Sequence, residues 1–205
     1  MSLRIEKLKK IKKNVEIDQE NDKFYDEIHN DLDSILFELH STIEHVRISS
    51  MITNNNGTDS NSVSYNFDDS NRFHIENIDE KITEVAIICR EFVSNSKNMI
   101  SSALVDQSAV KPHIRNAMNS ISSLVIECFQ TCFSFLYRNE KLDETRQLLI
   151  QILNLLNTFR TTLNISYLCL NAKQTNETNV NLLMKQATSL ANEISLLIKH
   201  FKLLF

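Results

Sequence analysis

The residues best suited to chemistry are four cysteines and six histidines, spread along a chain of 205 residues. Cys128 and Cys132 are four residues apart, so a helix would place both thiols on one side, where they could bind a metal ion. Structural zinc needs four ligands, and no second Cys or His pair lies nearby at ligand spacing. We therefore predict buried core thiols and no metal site.

No catalytic pattern accompanies these residues. The histidines form no H-E-x-x-H or related cluster, and no nucleophile stands at a recognisable spacing from a base. We expect solvated or hydrogen-bonded histidines, no cofactor and no enzymatic activity. Function must then come from the surfaces that the fold presents to other molecules.

The composition narrows the fold to helices. The chain has one Gly and one Pro, whereas ordinary usage of about 7% and 5% would give ~15 and ~10. Dinucleotide-binding folds, P-loop enzymes, barrels and β-hairpins need Gly where φ is positive. We predict an all-α protein.

Charge is distributed unevenly along the chain. Residues 1–13 hold six basic residues and one acid, whereas residues 14–50 hold ten acids and two bases, within a net charge of −4. An acidic chain is a poor nucleic-acid binder, so we expect no nucleic-acid partner. The basic start has no apolar run of signal-peptide length. Two interpretations of a basic tail at 1–21 stay open: a disordered tail, or weak contact with an anionic membrane or an acidic partner.

Hydrophobic spacing divides the rest of the chain into three parts. Residues 22–51 predict an amphipathic acidic helix, residues 52–74 an Asn/Ser-rich linker, and residues 75–205 four long helices. Apolar residues recur every three or four positions in four stripes that run from Ile78 to Ala103, Val110 to Phe135, Leu142 to Leu170 and Val180 to Leu204. Short turns favour antiparallel neighbours, so we predict an antiparallel up-down four-helix bundle with an additional N-terminal helix as a possible fifth member. No run approaches the ~18 consecutive apolar residues of a membrane span.

The four-helix body resembles a known family over about residues 95–205. The last helix carries Val180-Asn181-Leu182-Leu183-Met184-Lys185-Gln186-Ala187, then Asn192-Glu193-Ile194 and Lys199; the third carries Leu142-Asp143-Glu144-Thr145-Arg146 and Leu155-Leu156-Asn157; Pro112 stands near the start of the second. These segments resemble the focal-adhesion-targeting-like C-terminal domain of the GIT ArfGAP scaffolds and the related yeast polarisome scaffolds.

The resemblance implies a binding mode. Bundles of that family bind LD motifs, which are short acidic amphipathic helices, in a groove between two helices. The implied groove lies between the first and last body helices. Its basic rim would comprise Lys185, Lys199 and Lys202 on one side and Arg90 and Lys97 on the other; of these, Lys199 matches a family position.

The N-terminal helix itself contains an LD-like pattern, Leu32-Asp33-Ser34-Ile35-Leu36-Phe37-Glu38-Leu39. Three interpretations stay open: a plain fifth bundle helix, an LD-like ligand docked in its own groove or in that of a second chain, and coincidence. In the second case, self-association through residues 22–50 becomes an option. We expect the acids Asp26, Asp31, Asp33 and Glu38 to meet the basic rim.

Two classes of function follow. The first is a non-catalytic scaffold or adaptor that binds amphipathic helical peptides of cortical polarity, signalling or actin-regulatory partners. The second is a vinculin- or talin-like structural bundle that contacts actin or another helical domain directly. The resemblance implies a cytoplasmic protein at the cell cortex or at sites of polarised growth.

Overall fold

The protein is all-α, as predicted. A computed structural model describes residues 2–55, 78–105, 109–137, 141–171 and 177–205, with the side chains of 20–52 in the first range, and these ranges contain no strand. The helices are α1 (Ser2–Asn55), α2 (Ile78–Val105), α3 (Val110–Thr131), α4 (Leu142–Asn171) and α5 (Glu177–Leu204). A π-helical segment, Cys132–Tyr137, continues α3.

The predicted apolar stripes are the buried faces of these helices. Among the stripe positions whose side chains are described, none is exposed. Phe92 of α2 and Phe159 of α4 meet edge to face at the centre of the core, with ring centroids 5.4 Å apart. Pro112 lies in the first turn of α3, where its missing N–H breaks no helical hydrogen bond.

Ion pairs and hydrogen bonds define the helix directions. Near the start of α2, Lys81 lies 2.7 Å from Glu127 near the end of α3, and Asn95 further along α2 reaches Asn116 earlier in α3. These contacts make α2 and α3 antiparallel. This ion pair links the two helices, and hydrogen bonding to the mostly buried Glu127 raises the pKa of Lys81.

The N-terminal helix is longer than predicted. The predicted boundary between a tail at 1–21 and a helix at 22–51 is absent, because α1 is continuous from Ser2 to Asn55. The first twenty residues are rich in Lys, Leu, Ile and Glu and contain neither Gly nor Pro, so nothing in this segment stops a helix. The predicted linker at 52–74 begins inside α1, and its remainder lies outside the described residues.

The stretch Val110–Tyr137 is the one helix of the described ranges that is long and apolar enough to cross a membrane. Half of its most apolar window is buried inside the bundle. Helices in the core of a bundle can be equally long and apolar, so packing inside the bundle explains the composition of this stretch.

Candidate functional site

Helix α1 lies along the seam between α3 and α4. It packs extensively against α4 and at fewer points against α3. Six apolar residues at helical spacing are buried there: Phe24, Ile28, Leu32, Leu36, Leu39 and Val46. Each buried side chain of this size stabilises the packing by about 1.5–3 kcal/mol relative to exposure. The N-terminal helix is therefore held mainly by its apolar stripe.

The LD-like pattern lies in the middle of this stripe. Leu32 and Leu39 are fully buried, Leu36 is buried and Ile35 is half-buried. Asp33 is exposed on the α4 side, where its carboxylate accepts an ion-paired contact from the Arg160 guanidinium at 2.9 Å. The Leu and Ile residues of the pattern thus face inward, and Asp33 lies at a basic residue of the rim, within one chain.

A polar cluster fixes α1 against α4. Asn164 Oδ1 accepts a hydrogen bond from the Tyr25 hydroxyl and lies 2.8 Å from His29 Nε2. The Tyr25 ring stacks on Tyr167 with centroids 3.8 Å apart, and the Tyr167 hydroxyl donates to Asp22. Burial, reinforced by Tyr167, raises the pKa of Tyr25 to about 12. These contacts require α1 and α4 to run antiparallel.

Cations of α3 complete the other side of the seam. Lys111 lies 3.6 Å from Glu20 and Arg115 lies 4.0 Å from Glu27, so α1 runs parallel to α3. Both cations also lie over the Phe24 ring, at 5.7 and 5.1 Å from its centre. Exposed ion pairs contribute only about 0.2–1 kcal/mol each, so these contacts orient the helix more than they hold it.

The prediction that the acids of α1 would meet the rim on the first and last body helices is wrong. The acid Asp33 meets Arg160 of α4 instead, because the seam that α1 covers belongs to the second and third body helices. Asp26, Asp31 and Glu38 are exposed. The charge pattern of the sequence does not indicate which seam α1 occupies, because both seams carry cations.

The five predicted rim residues lie on α5 and α2, two helices that pack against each other. All five are exposed, and none forms an ion pair with the residues that the structure describes. Lys199 and Lys202 line a shallow depression of about 400 Å³ together with Ile198 and Leu203. Lys185 is fourteen residues away along α5, or about 21 Å, and neither Arg90 nor Lys97 lines this depression.

A groove that the sequence did not reveal opens between α1 and α3. Its volume is about 640 Å³, and its apolar wall consists of Ile35, Val125, Ile126, Phe129 and Phe133. The groove exists because α1 packs closely on α4 and more loosely on α3. Ile126 remains 56% exposed there.

The cysteines are buried and free, which confirms the prediction of core thiols. Burial raises the pKa of Cys128 well above its ordinary value and that of Cys132 to about 12. The Cys132 thiol donates to the Thr145 carbonyl oxygen at 3.8 Å. Within the described ranges, no three Cys, His, Asp or Glu side chains converge as metal ligands would.

Comparison with protein-family models and with curated proteins found no match for this chain. The α1 seam and the α5 surface are therefore the features that bear on function.

Proposed function

We propose that the protein is a non-catalytic adaptor module that binds short acidic amphipathic helices of partner proteins. The observation that supports this most is the packing of α1. An acidic helix with an LD-like pattern lies in a groove between two body helices, apolar side inward and Asp33 on a basic rim residue. This is the helix-in-groove mode of peptide recognition.

In this proposal α1 is a tethered occupant of the groove between α3 and α4. A partner helix with the same pattern replaces it, and Arg115 and Arg160 receive the partner's acids. The apparent affinity for the partner is then reduced by the fraction of molecules in which α1 stays docked. Loosening α1 should raise that affinity without altering the groove.

The exposed lysines of α5 offer a second place for an acidic helix. Lys199 and Lys202 flank apolar Ile198 and Leu203 in one depression, and the resemblance of α5 to the scaffold family favours this side. The same resemblance supports a place at the cell cortex, among polarity or actin-regulatory partners.

A labelled synthetic peptide with the sequence of residues 22–50 tests the proposal by fluorescence anisotropy. We expect weak binding to the full chain and tighter binding to a Leu32→Ala variant, whose own α1 is loosened. Phe37→Ala is the matched control, because Phe37 lies on the same helix and is 78% exposed. Equal affinities for all three proteins would contradict competition by α1.

Charge reversals then locate the site. In the Leu32→Ala background, Arg115→Glu with Arg160→Glu should weaken peptide binding if the groove is the α3–α4 seam. Lys199→Glu with Lys202→Glu should weaken it if the α5 surface is the site. Binding of the peptide that neither pair affects would refute both sites.

A further inference from the structure

The groove between α1 and α3 has a marked chemical character. Five apolar side chains line it, and Glu38 is the single Asp, Glu, Lys or Arg among its lining residues. Asp31, two turns before Glu38 on the same side of α1, is exposed but does not line the groove itself. An apolar trough with an acidic rim favours a helix that is apolar on one side and basic on the other.

The dimensions of the groove also fit a helix. Along α1 it extends from Ile35 to His45, and along α3 and the π-helical segment from Ser122 to Phe133. Ten to eleven residues at helical rise correspond to about 15–16 Å, which is the length of a helical segment of about ten residues. Three apolar anchors at positions i, i+3 and i+7 extend over about 10 Å and would fit within it.

The first part of α1 has that composition. Residues 1–13 carry a net charge of +5, and Leu8, Ile11 and Val15 recur at spacings of three and four. The contacts of Glu20 with Lys111 and of Asp22 with Tyr167 fix the register of α1 on the body.

This basic segment cannot reach the groove of its own chain. Helix α1 is continuous from Ser2 to Asn55, so Val15 and Ile35 are separated by about 30 Å along the helix axis. We propose that the basic start of α1 docks into the α1–α3 groove of a second copy of the chain. The protein would then self-associate through a basic helix in an acidic apolar trough. If each of two copies docked its basic start into the groove of the other, the assembly would be a closed dimer.

Sedimentation equilibrium of the full chain over a range of protein concentrations tests this. We expect the mass to rise above that of a monomer with concentration, and the association to weaken at high salt because exposed charges are screened. A chain that stays monomeric at every concentration in low salt would overturn the proposal.

Two matched variants locate the contact. Ile126→Lys removes an apolar wall residue and adds a repelling charge, and should weaken association about fivefold or more, since docking would bury only the exposed half of this Ile side chain. Ile87→Lys on α2 is the control, because Ile87 is 55% exposed and Ile126 is 56% exposed, so both variants should fold. Equal effects of the two substitutions would overturn the assignment of the groove.

A charge exchange tests the identity of the occupant. Reversing Lys9, Lys10, Lys12 and Lys13 to Glu should weaken self-association, and so should Glu38→Lys. Mixing the two variants should produce a mixed complex, since the acidic start of one variant then faces the basic groove of the other, and the basic start faces the acidic groove. Self-association that survives reversal of the four lysines would show that another surface carries it.

Discussion

Replacing Leu39 by Ala tests whether α1 is a separately opening segment or an integral part of the core. Leu39 is fully buried between α1 and the body, and a buried Leu→Ala change costs about 2–5 kcal/mol, from lost burial and from the cavity that remains. If α1 opens while the other helices stay folded, the substitution lowers the free energy needed for that opening by this amount. At 1.4 kcal/mol for each factor of ten, amide exchange in α1 should accelerate by about thirtyfold to a few thousandfold.

Hydrogen exchange measured by mass spectrometry separates the two cases. We expect faster exchange in peptides from residues 20–52 and little change in the protected peptides of α2 to α5. Phe37→Ala is the control and should leave exchange nearly unchanged, because Phe37 is exposed on the same helix. Equal acceleration in all helices would show one cooperative unit and would refute the role of α1 as a displaceable occupant.

Three further predictions concern other parts of the molecule. Lys199→Glu with Lys202→Glu should leave the thermal midpoint nearly unchanged, since both side chains are exposed; a large drop would show a structural role. The pKa of Tyr25 is raised to about 12 from 10.0, so its contribution to α1 docking should be complete below pH 10 and be lost as the pH rises towards 12. Tyr25→Phe should remove that alkaline loss in a titration followed by exchange of α1 amides; an unchanged alkaline loss would contradict this. Cys89 and Cys128, whose pKa values burial raises, should react with a thiol reagent at pH 8 only after denaturation; fast reaction of the native protein would contradict their burial.

The helical content and the core of this protein follow from local features of its sequence. The near absence of Gly and Pro leaves helices as the default. The spacing of apolar residues places Phe92, Phe159 and Phe201 inside, because a stripe at three and four residues makes one face of a helix apolar. These properties depend on neighbours within one helix, which is why they could be predicted.

The placement of α1 could not be predicted in the same way. Its stripe indicates burial but does not specify which seam buries it, since cations occur on both sides of the body. The choice of the α3–α4 seam depends on contacts between residues far apart in sequence, such as Tyr25 with Asn164. The groove at Ile126 is a consequence of that choice, so the sequence carried no separate signal for it.

The start of α1 was missed for a different reason. The run of lysines leaves two interpretations open, a disordered tail or weak contact with an anionic membrane or an acidic partner. Lys and Glu are nonetheless good helix formers, and α1 continues through this segment from Ser2. Charge therefore did not predict the local conformation of this segment.

The proposed function requires that the four-helix body contain a groove for an acidic amphipathic helix. Titration calorimetry on a fragment of residues 75–205, with the separate 22–50 peptide as ligand, tests it most directly. We predict a helical fragment that binds one peptide saturably, and more weakly once Arg160→Glu removes the partner of Asp33. A folded fragment that shows no binding, or a fragment that unfolds without α1, would contradict the claim.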